Sequence, residues 1–148
     1  MSYYGYKDHV KADLKSKIVT DYTVTAASVH DSTEFVNLLE KDDKVVYADS
    51  GYIGKEDEFS QEILKNVDFQ ICEKGYKNRP LTEEQKKRNK EKSHFRSRIE
   101  HIFGFMTGSM RGLTLRCIGK ARAEFNIAIT NLVYNMCRYG IIMHQKAV

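Results

Sequence analysis

The chain has 148 residues, enough for one ordinary domain and too few for two independent hydrophobic cores. With 41% hydrophobic, 11% aromatic and 30% charged residues, it is excluded from the disordered, collagen-like and low-complexity classes. The net charge of +4 conceals a division: residues 1–73 hold 8 Lys and Arg against 15 Asp and Glu, whereas residues 74–98 hold 10 against 3. Carboxylates beside a basic segment suit a protein that holds a polyanion across bound metal ions, and a solvated acidic face beside a basic helix gives the same count. Apolar runs such as Ile127 to Ile129 are too short to span a bilayer, and the Met1-Ser2-Tyr3-Tyr4 start lacks a signal region, so a cytoplasmic protein is expected. Cys72, Cys117 and Cys137 are odd in number and far apart, which predicts three buried thiols in a reducing compartment and no structural zinc.

In chain order, Tyr4 to Leu14 and Ile18 to Ala27 are rich in aromatic and β-branched residues and predict a β-hairpin around Ser16-Lys17. Asp13 beside that turn reads as a turn residue. Asp31 or Ser32 can cap a helix carrying Phe35, Leu38 and Leu39 that ends near Lys41. Lys44 to Ala48 has the compact apolar character of a buried parallel strand and delivers Asp49 at its carboxyl end. A helix is predicted over Glu56 to Lys65 and a strand over Val67 to Cys72, so the chain reads as an α/β domain.

Pro80 lies in a loop, and Thr82 followed by Glu83-Glu84-Gln85 supplies a cap and an acidic first turn. The long helix that begins there carries Phe95, Ile99, Ile102, Phe103 and Met106 on one stripe, with Arg96, Glu100 and Thr107 on its flank, and ends at Gly108 and Gly112. Leu113 to Ile118 reads as a short strand or extended link. A last helix over Ala121 to Met143 is expected to turn Phe125, Ile129, Leu132, Met136 and Tyr139 inward.

Two carboxylates stand out by position. Asp49 ends a strand at a Gly-containing turn, where open α/β sheets place ligands, and Glu100 lies half-way round a helix that follows. Such a pair can hold Mg²⁺, which prefers carboxylate oxygen and keeps several waters. Each also has a plain reading, Asp49 as a turn former and Glu100 as an i, i+4 partner of Arg96. Lys86, Lys87, Arg88, Lys90, Lys92, Arg96 and Arg98 lead into the Glu100 helix and are candidates to hold phosphate, with a solvated helical face as the competing reading. Lys7 and His9 on the first strand, and His30 and Asp31 at the second corner, are weaker site-adjacent candidates; a helix cap explains the His30-Asp31 corner as well. His94 and His101 fall on the outward side of the long helix, away from Glu100.

Four ordered blocks, Tyr4-Gly5-Tyr6-Lys7-Asp8-His9-Val10, Val24 to Ser32, Ala48-Asp49-Ser50-Gly51-Tyr52, and Arg96-x-x-x-Glu100-His101-Ile102-Phe103-Gly104, resemble the carboxyl-terminal catalytic part of bacterial insertion-sequence DDE transposases, most closely the insertion sequence five and four types. The resemblance implies an RNase H-like mixed sheet with flanking helices, DNA cleavage and strand transfer, and Mg²⁺ or Mn²⁺ as cofactor. It maps the family's second Asp onto Asp49, its Glu onto Glu100 and its Arg onto Arg96. The family's extended pattern has Tyr and Lys where this chain has Ser93 and Thr107. The family's first Asp sits on a central strand before the Tyr-Gly-Tyr-Lys block, so the resemblance implies an incomplete catalytic domain, weak metal binding and an isolated chain of little activity. It also implies DNA as a partner and a homo-oligomer or an upstream transposase fragment as a second one. The alternative is a non-catalytic DNA-binding remnant or regulator that partners a full-length transposase.

Overall fold

A computed structural model describes residues 5–53, 66–112 and 117–147. Its elements are β1 (Tyr6–Ala12), β2 (Val19–Ala26), α1 (Asp31–Phe35), β3 (Val45–Ala48), a 3₁₀ turn (Ser50–Tyr52), β4 (Asp68–Ile71), α2 (Glu83–Gly108) and α3 (Lys120–Ala147). The architecture is mixed α/β, with an antiparallel β1–β2 sheet and a parallel β3–β4 sheet. The chain divides into two compact units, one of residues 1–30 with 98–148 and the other of residues 31–97.

In the first unit, β1 and β2 run antiparallel from Tyr6 opposite Ala26 to Lys11 opposite Asp21, and a bulge then sets Ala12 opposite Val19. The turn between them is built by Asp13, whose Oδ2 accepts from the backbone N–H of Lys15 and Ser16 and from the Ser16 hydroxyl. Those bonds hold the Asp13 carboxyl below its ordinary range, the Ser16 backbone bond first among them. Lys17 closes the turn at φ 58°, in the left-handed region.

Alternation along β1 sends Val10 and Ala12 to one face, where they meet Ile99, Ile102, Phe103 and Met106 of α2 and Tyr134 of α3. Ile102 and Met106 are 1% and 0% exposed and form the centre of this core with Val19 and Tyr134. Phe105 meets Tyr134 edge-on, with ring centroids 5.8 Å apart. α3 is also stitched to the hairpin by hydrogen bonds. The Asn135 amide accepts from Val19 N–H at 2.9 Å and donates to Val19 C=O at 2.8 Å, while the Tyr134 hydroxyl donates to Lys17 C=O and Arg138 Nε to Ser16 C=O.

α3 packs through Ala123, Ile127, Thr130, Asn131 and Tyr134. The inward set expected from sequence, Phe125, Ile129, Leu132, Met136 and Tyr139, is exposed instead. Both faces of this helix are apolar, and the hydrogen-bonding side chains that decide between them carry no weight in a hydrophobicity pattern. The expectation of three buried thiols also fails: Cys72 is buried, Cys117 half-buried and Cys137 exposed beside Met136.

The second unit pairs β3 with β4 in parallel, Val45 opposite Asp68 through Ala48 opposite Ile71. Among its described residues, Ala48, Val67, Ile71 and Cys72 are buried. α2 opens with a capping box, Thr82 Oγ1 accepting from Gln85 N–H while Gln85 Oε1 accepts from Thr82 N–H. α1 stops at Phe35 rather than near Lys41, with turns following. The helix expected over Glu56 to Lys65 lies wholly outside the described residues, as does most of Leu113 to Ile118.

Asp8 on β1 is half-buried against α3, its Oδ2 accepting from Asn131 Nδ2 at 3.0 Å. The other oxygen, Oδ1, and Asn131 Oδ1 are both buried without a hydrogen-bond partner. Burial raises the Asp8 carboxyl to about 6, against the smaller opposing effect of the Asn131 bond. A carboxyl raised on folding binds its proton more tightly in the folded state, so its cost to stability is absent below the unfolded value and grows as pH climbs through 6. Asp8→Asn should therefore raise the thermal midpoint at pH 8 and leave it nearly unchanged at pH 4, measured by circular-dichroism melts across that range. Ile102→Ala, which empties the core centre, should lower unfolding free energy by about 2–5 kcal/mol in urea titrations.

Candidate functional site

Asp49 is the first residue beyond β3 and caps the 3₁₀ turn, its Oδ1 accepting from Ser50 N–H at 2.7 Å. The turn-former reading therefore holds for one oxygen. The other, Oδ2, pairs with Arg96 Nη1 of α2 at 2.8 Å, with the Asp49 side chain 53% exposed. An exposed strand-end carboxylate held by a guanidinium is a charged site open to a ligand on one side.

Aromatic packing fixes this corner. Tyr47, two residues before Asp49 on β3, stacks on Phe95 of α2 with centroids 4.5 Å apart, which sets the adjoining Arg96 next to the strand end. On the other flank Tyr52 lies against Phe35 of α1 at 4.6 Å. Burial pushes the Tyr52 phenol upward, and the negative charges of Asp31 and Asp49 add to the shift. Asp31 and Asp49, far apart in sequence, thus bear on one hydroxyl.

The basic run is dispersed among different partners. Lys86 pairs with Glu83 at 2.7 Å, Arg88 with Glu73 at 2.8 Å, and Lys92 Nζ donates to the Ile71 carbonyl at the end of β4. Glu73 collects Gln85 as well, and Asn89 brackets its backbone by accepting from the N–H and donating to the C=O. Arg88, with Gln85 assisting, holds the Glu73 carboxyl below its ordinary value. Lys87 and Lys90 are exposed. Tyr47, Gln70, Arg88, Glu91, Lys92 and Phe95 line a shallow groove beside the β3–β4 sheet. Asn89→Ala, which unclasps Glu73 from α2, should cost about 1–3 kcal/mol in chemical unfolding.

Glu100 is exposed on α2, one turn beyond Arg96, and belongs to the first unit. Arg98 of the same turn donates to the Leu14 carbonyl. Lys7 and His9 share the face of β1 opposite Val10: Lys7 Nζ donates to the Val29 carbonyl at 2.9 Å, and the buried His9 ring bonds Thr25 Oγ1 at 2.7 Å. His30 is exposed, and Asp31 is the first residue of α1. His94 and His101 are exposed, as expected.

Sequence reasoning missed Tyr47, Phe95 and Glu73 as the residues that position the Asp49 corner and the basic segment. The aromatic at Tyr47 inside a strand facing Phe95 was available as a signal; Glu73 offered none. Among the described residues no group of three or more His, Cys, Asp and Glu gathers to hold a metal ion. The exposed oxygens of Asp49 have the hard donor character that suits Mg²⁺ or Mn²⁺ as one ligand of a shared set.

No helix among the described residues is long and apolar enough to cross a membrane. No solved structure matches the chain. A family model described as transposase DDE domain matches residues 2–136, nearly the whole length. That match covers well over half of the sequence, and the chain belongs to the transposase DDE domain family.

Proposed function

We propose that the protein acts in DNA transposition of the insertion sequence five or four type, by metal-dependent cleavage and transfer of DNA strands, with Asp49 and Glu100 as catalytic carboxylates. The two units serve one RNase H-like catalytic domain in this reading. The observation that carries it is Asp49 at the carboxyl end of β3, held at 2.8 Å by Arg96, within a chain whose family acts on DNA. Strand-end carboxylates are where α/β sheets do their chemistry, and the Tyr47–Phe95 stack supports this one.

Asp49 and Glu100 would hold the divalent cation, which supplies positive charge to an attacking oxygen and to the leaving oxygen of a phosphodiester. Arg96 neutralises Asp49 and orients its carboxylate. The phosphate-holding role falls to Lys86, Lys87, Arg88, Lys90, Lys92, Arg96 and Arg98, led by the exposed Lys87 and Lys90. Lys7, His9, His30 and Asp31 are kept as site-adjacent candidates, as supports rather than reacting groups.

Three measurements test the reading. Mn²⁺ binding, followed by electron paramagnetic resonance, should weaken at least about tenfold in both Asp49→Ala and Glu100→Ala; equal binding in either removes that residue from the site. DNA affinity should fall with salt, and less steeply in a Lys87→Ala/Lys90→Ala double variant. The isolated chain should nick supercoiled DNA weakly or not at all with Mg²⁺, and any such nicking should be lost with either carboxylate. DNA binding without nicking by the native chain, indifferent to both carboxylate changes, would instead establish the non-catalytic DNA-binding reading.

A further inference from the structure

Where α3 meets the first strand, an acid and an amide share one hydrogen bond and leave two oxygens over. Asp8 lies opposite Val24 of β2, and alternation along β1 puts it on the face that carries Val10 and Ala12. Asn131 is 2% exposed and donates through Nδ2 to Asp8 Oδ2 at 3.0 Å. The second oxygen of each group, Asp8 Oδ1 and Asn131 Oδ1, is buried without a hydrogen-bond partner. An ionised carboxylate and an amide carbonyl offer only acceptors, so neither oxygen can satisfy the other.

One proton removes both deficits. Placed on Oδ1, it makes Asp8 a donor, and the Asn131 carbonyl is the acceptor on the very side chain that already holds Oδ2. Acid and amide then pair reciprocally, O–H to O and N–H to O. No charge competes for that proton. The titratable groups on this face are phenols: Tyr6 and Tyr22 from the hairpin, and Tyr134 from α3. α2 presents Ile99, Ile102, Phe103 and Met106 to the same core. Lys7, His9 and Lys11 alternate to the opposite face of β1, and Arg122 and Glu124 of α3 are exposed. Arg98 and Arg138 bind the Leu14 and Ser16 carbonyls, at least six residues or roughly 20 Å along the strand from Asp8. Only burial and the Asn131 bond act on the Asp8 carboxyl, and burial prevails.

We propose that Asp8 and Asn131 form a proton-operated clasp, in which Asp8 Oδ1 takes a proton from solvent, donates it to Asn131 Oδ1 and so fixes α3 on the hairpin, while loss of that proton loosens the helix there. Tyr134, Asn135 and Arg138 anchor the next turns of α3 to the Lys17, Val19 and Ser16 backbone without using a carboxyl. The loosening is therefore local to the part of α3 that precedes them. Neither Asp49 nor Glu100 takes part, so the clasp stands apart from the catalytic reading.

Two measurements on the full chain test this. By NMR, the Asp8 carboxyl carbon should titrate near 6, and the Asn131 side-chain amide protons should move with the same midpoint. A carboxyl that titrates near its ordinary 3.8, as water or a cation between the two oxygens would produce, overturns the proposal, and so do Asn131 protons indifferent to the titration. Hydrogen exchange reads the loosening itself. Because the opened acid ionises near 3.8 and the docked one near 6, the opening constant of α3 amides before Tyr134 should rise about fifty-fold between pH 4 and pH 7 and level off above that. In Asp8→Asn the new amide donates to Asn131 Oδ1 and accepts from its Nδ2 at any pH, so this rise should vanish. An unchanged rise in Asp8→Asn, or no rise in the native chain, overturns the clasp.

Discussion

The first unit depends on a set of hydrogen bonds from α3 side chains to a β-hairpin, most of them to its backbone. Within two turns of helix, Asn131, Tyr134, Asn135 and Arg138 reach Asp8, Lys17, Val19 and Ser16. Hydrophobic burial alone has no preference between the two apolar faces of α3. The polar groups do, because a backbone N–H or C=O left unpaired beside a packed helix costs about 1–3 kcal/mol, and only one rotation of α3 satisfies Val19 and Lys17 together. Once that rotation is fixed, Tyr134 enters the core against Phe105, and Ile102 and Met106 of α2 close it.

The second unit is organised by charge at its basic segment and by aromatic packing at its acidic corner. Glu73 follows β4 and draws Gln85, Arg88 and Asn89 of α2 onto one acidic residue. Farther along the same helix, the Phe95 ring lies on Tyr47 and Arg96 reaches Asp49. A carboxylate bound by a guanidinium is poised between two states, since a cation or a phosphate that competes for either partner releases the other. The ion pair balances charge at the strand end, and its partial exposure leaves both partners open to competing ions.

Much of the local structure was legible in the residues. The hairpin, the strand delivering Asp49, the Thr82 capping box and the long helix ending near Gly108 all carry short-range signals of turn chemistry, alternation and capping. Asp13 as a turn residue was equally local. The errors came from long-range contacts. The packed face of α3 was assigned by the larger side chains, although Asn131 and Asn135 settle it by bonding residues more than a hundred positions earlier. Cys137 was judged by composition and proved exposed. The spacing of the basic run, a candidate to hold phosphate or a solvated face, does not reveal that Glu73, Glu83, the Ile71 carbonyl and Asp49 each engage a member of it. At the site, Asp49 and Arg96 could be named from their positions and the family motif. Their stacked aromatic support could not be ranked without the fold.

The paired bonds of Asn135 to Val19 have a further effect. A side-chain amide that accepts from a strand's N–H and donates to its C=O occupies the place a neighbouring strand would take in a ladder. The outer margin of the hairpin is blunted there by a single helix-borne amide, leaving no template for a stray extended segment to dock and propagate. Opportunistic sheet growth is discouraged at Val19, so association between molecules is steered away from strand addition at the start of β2.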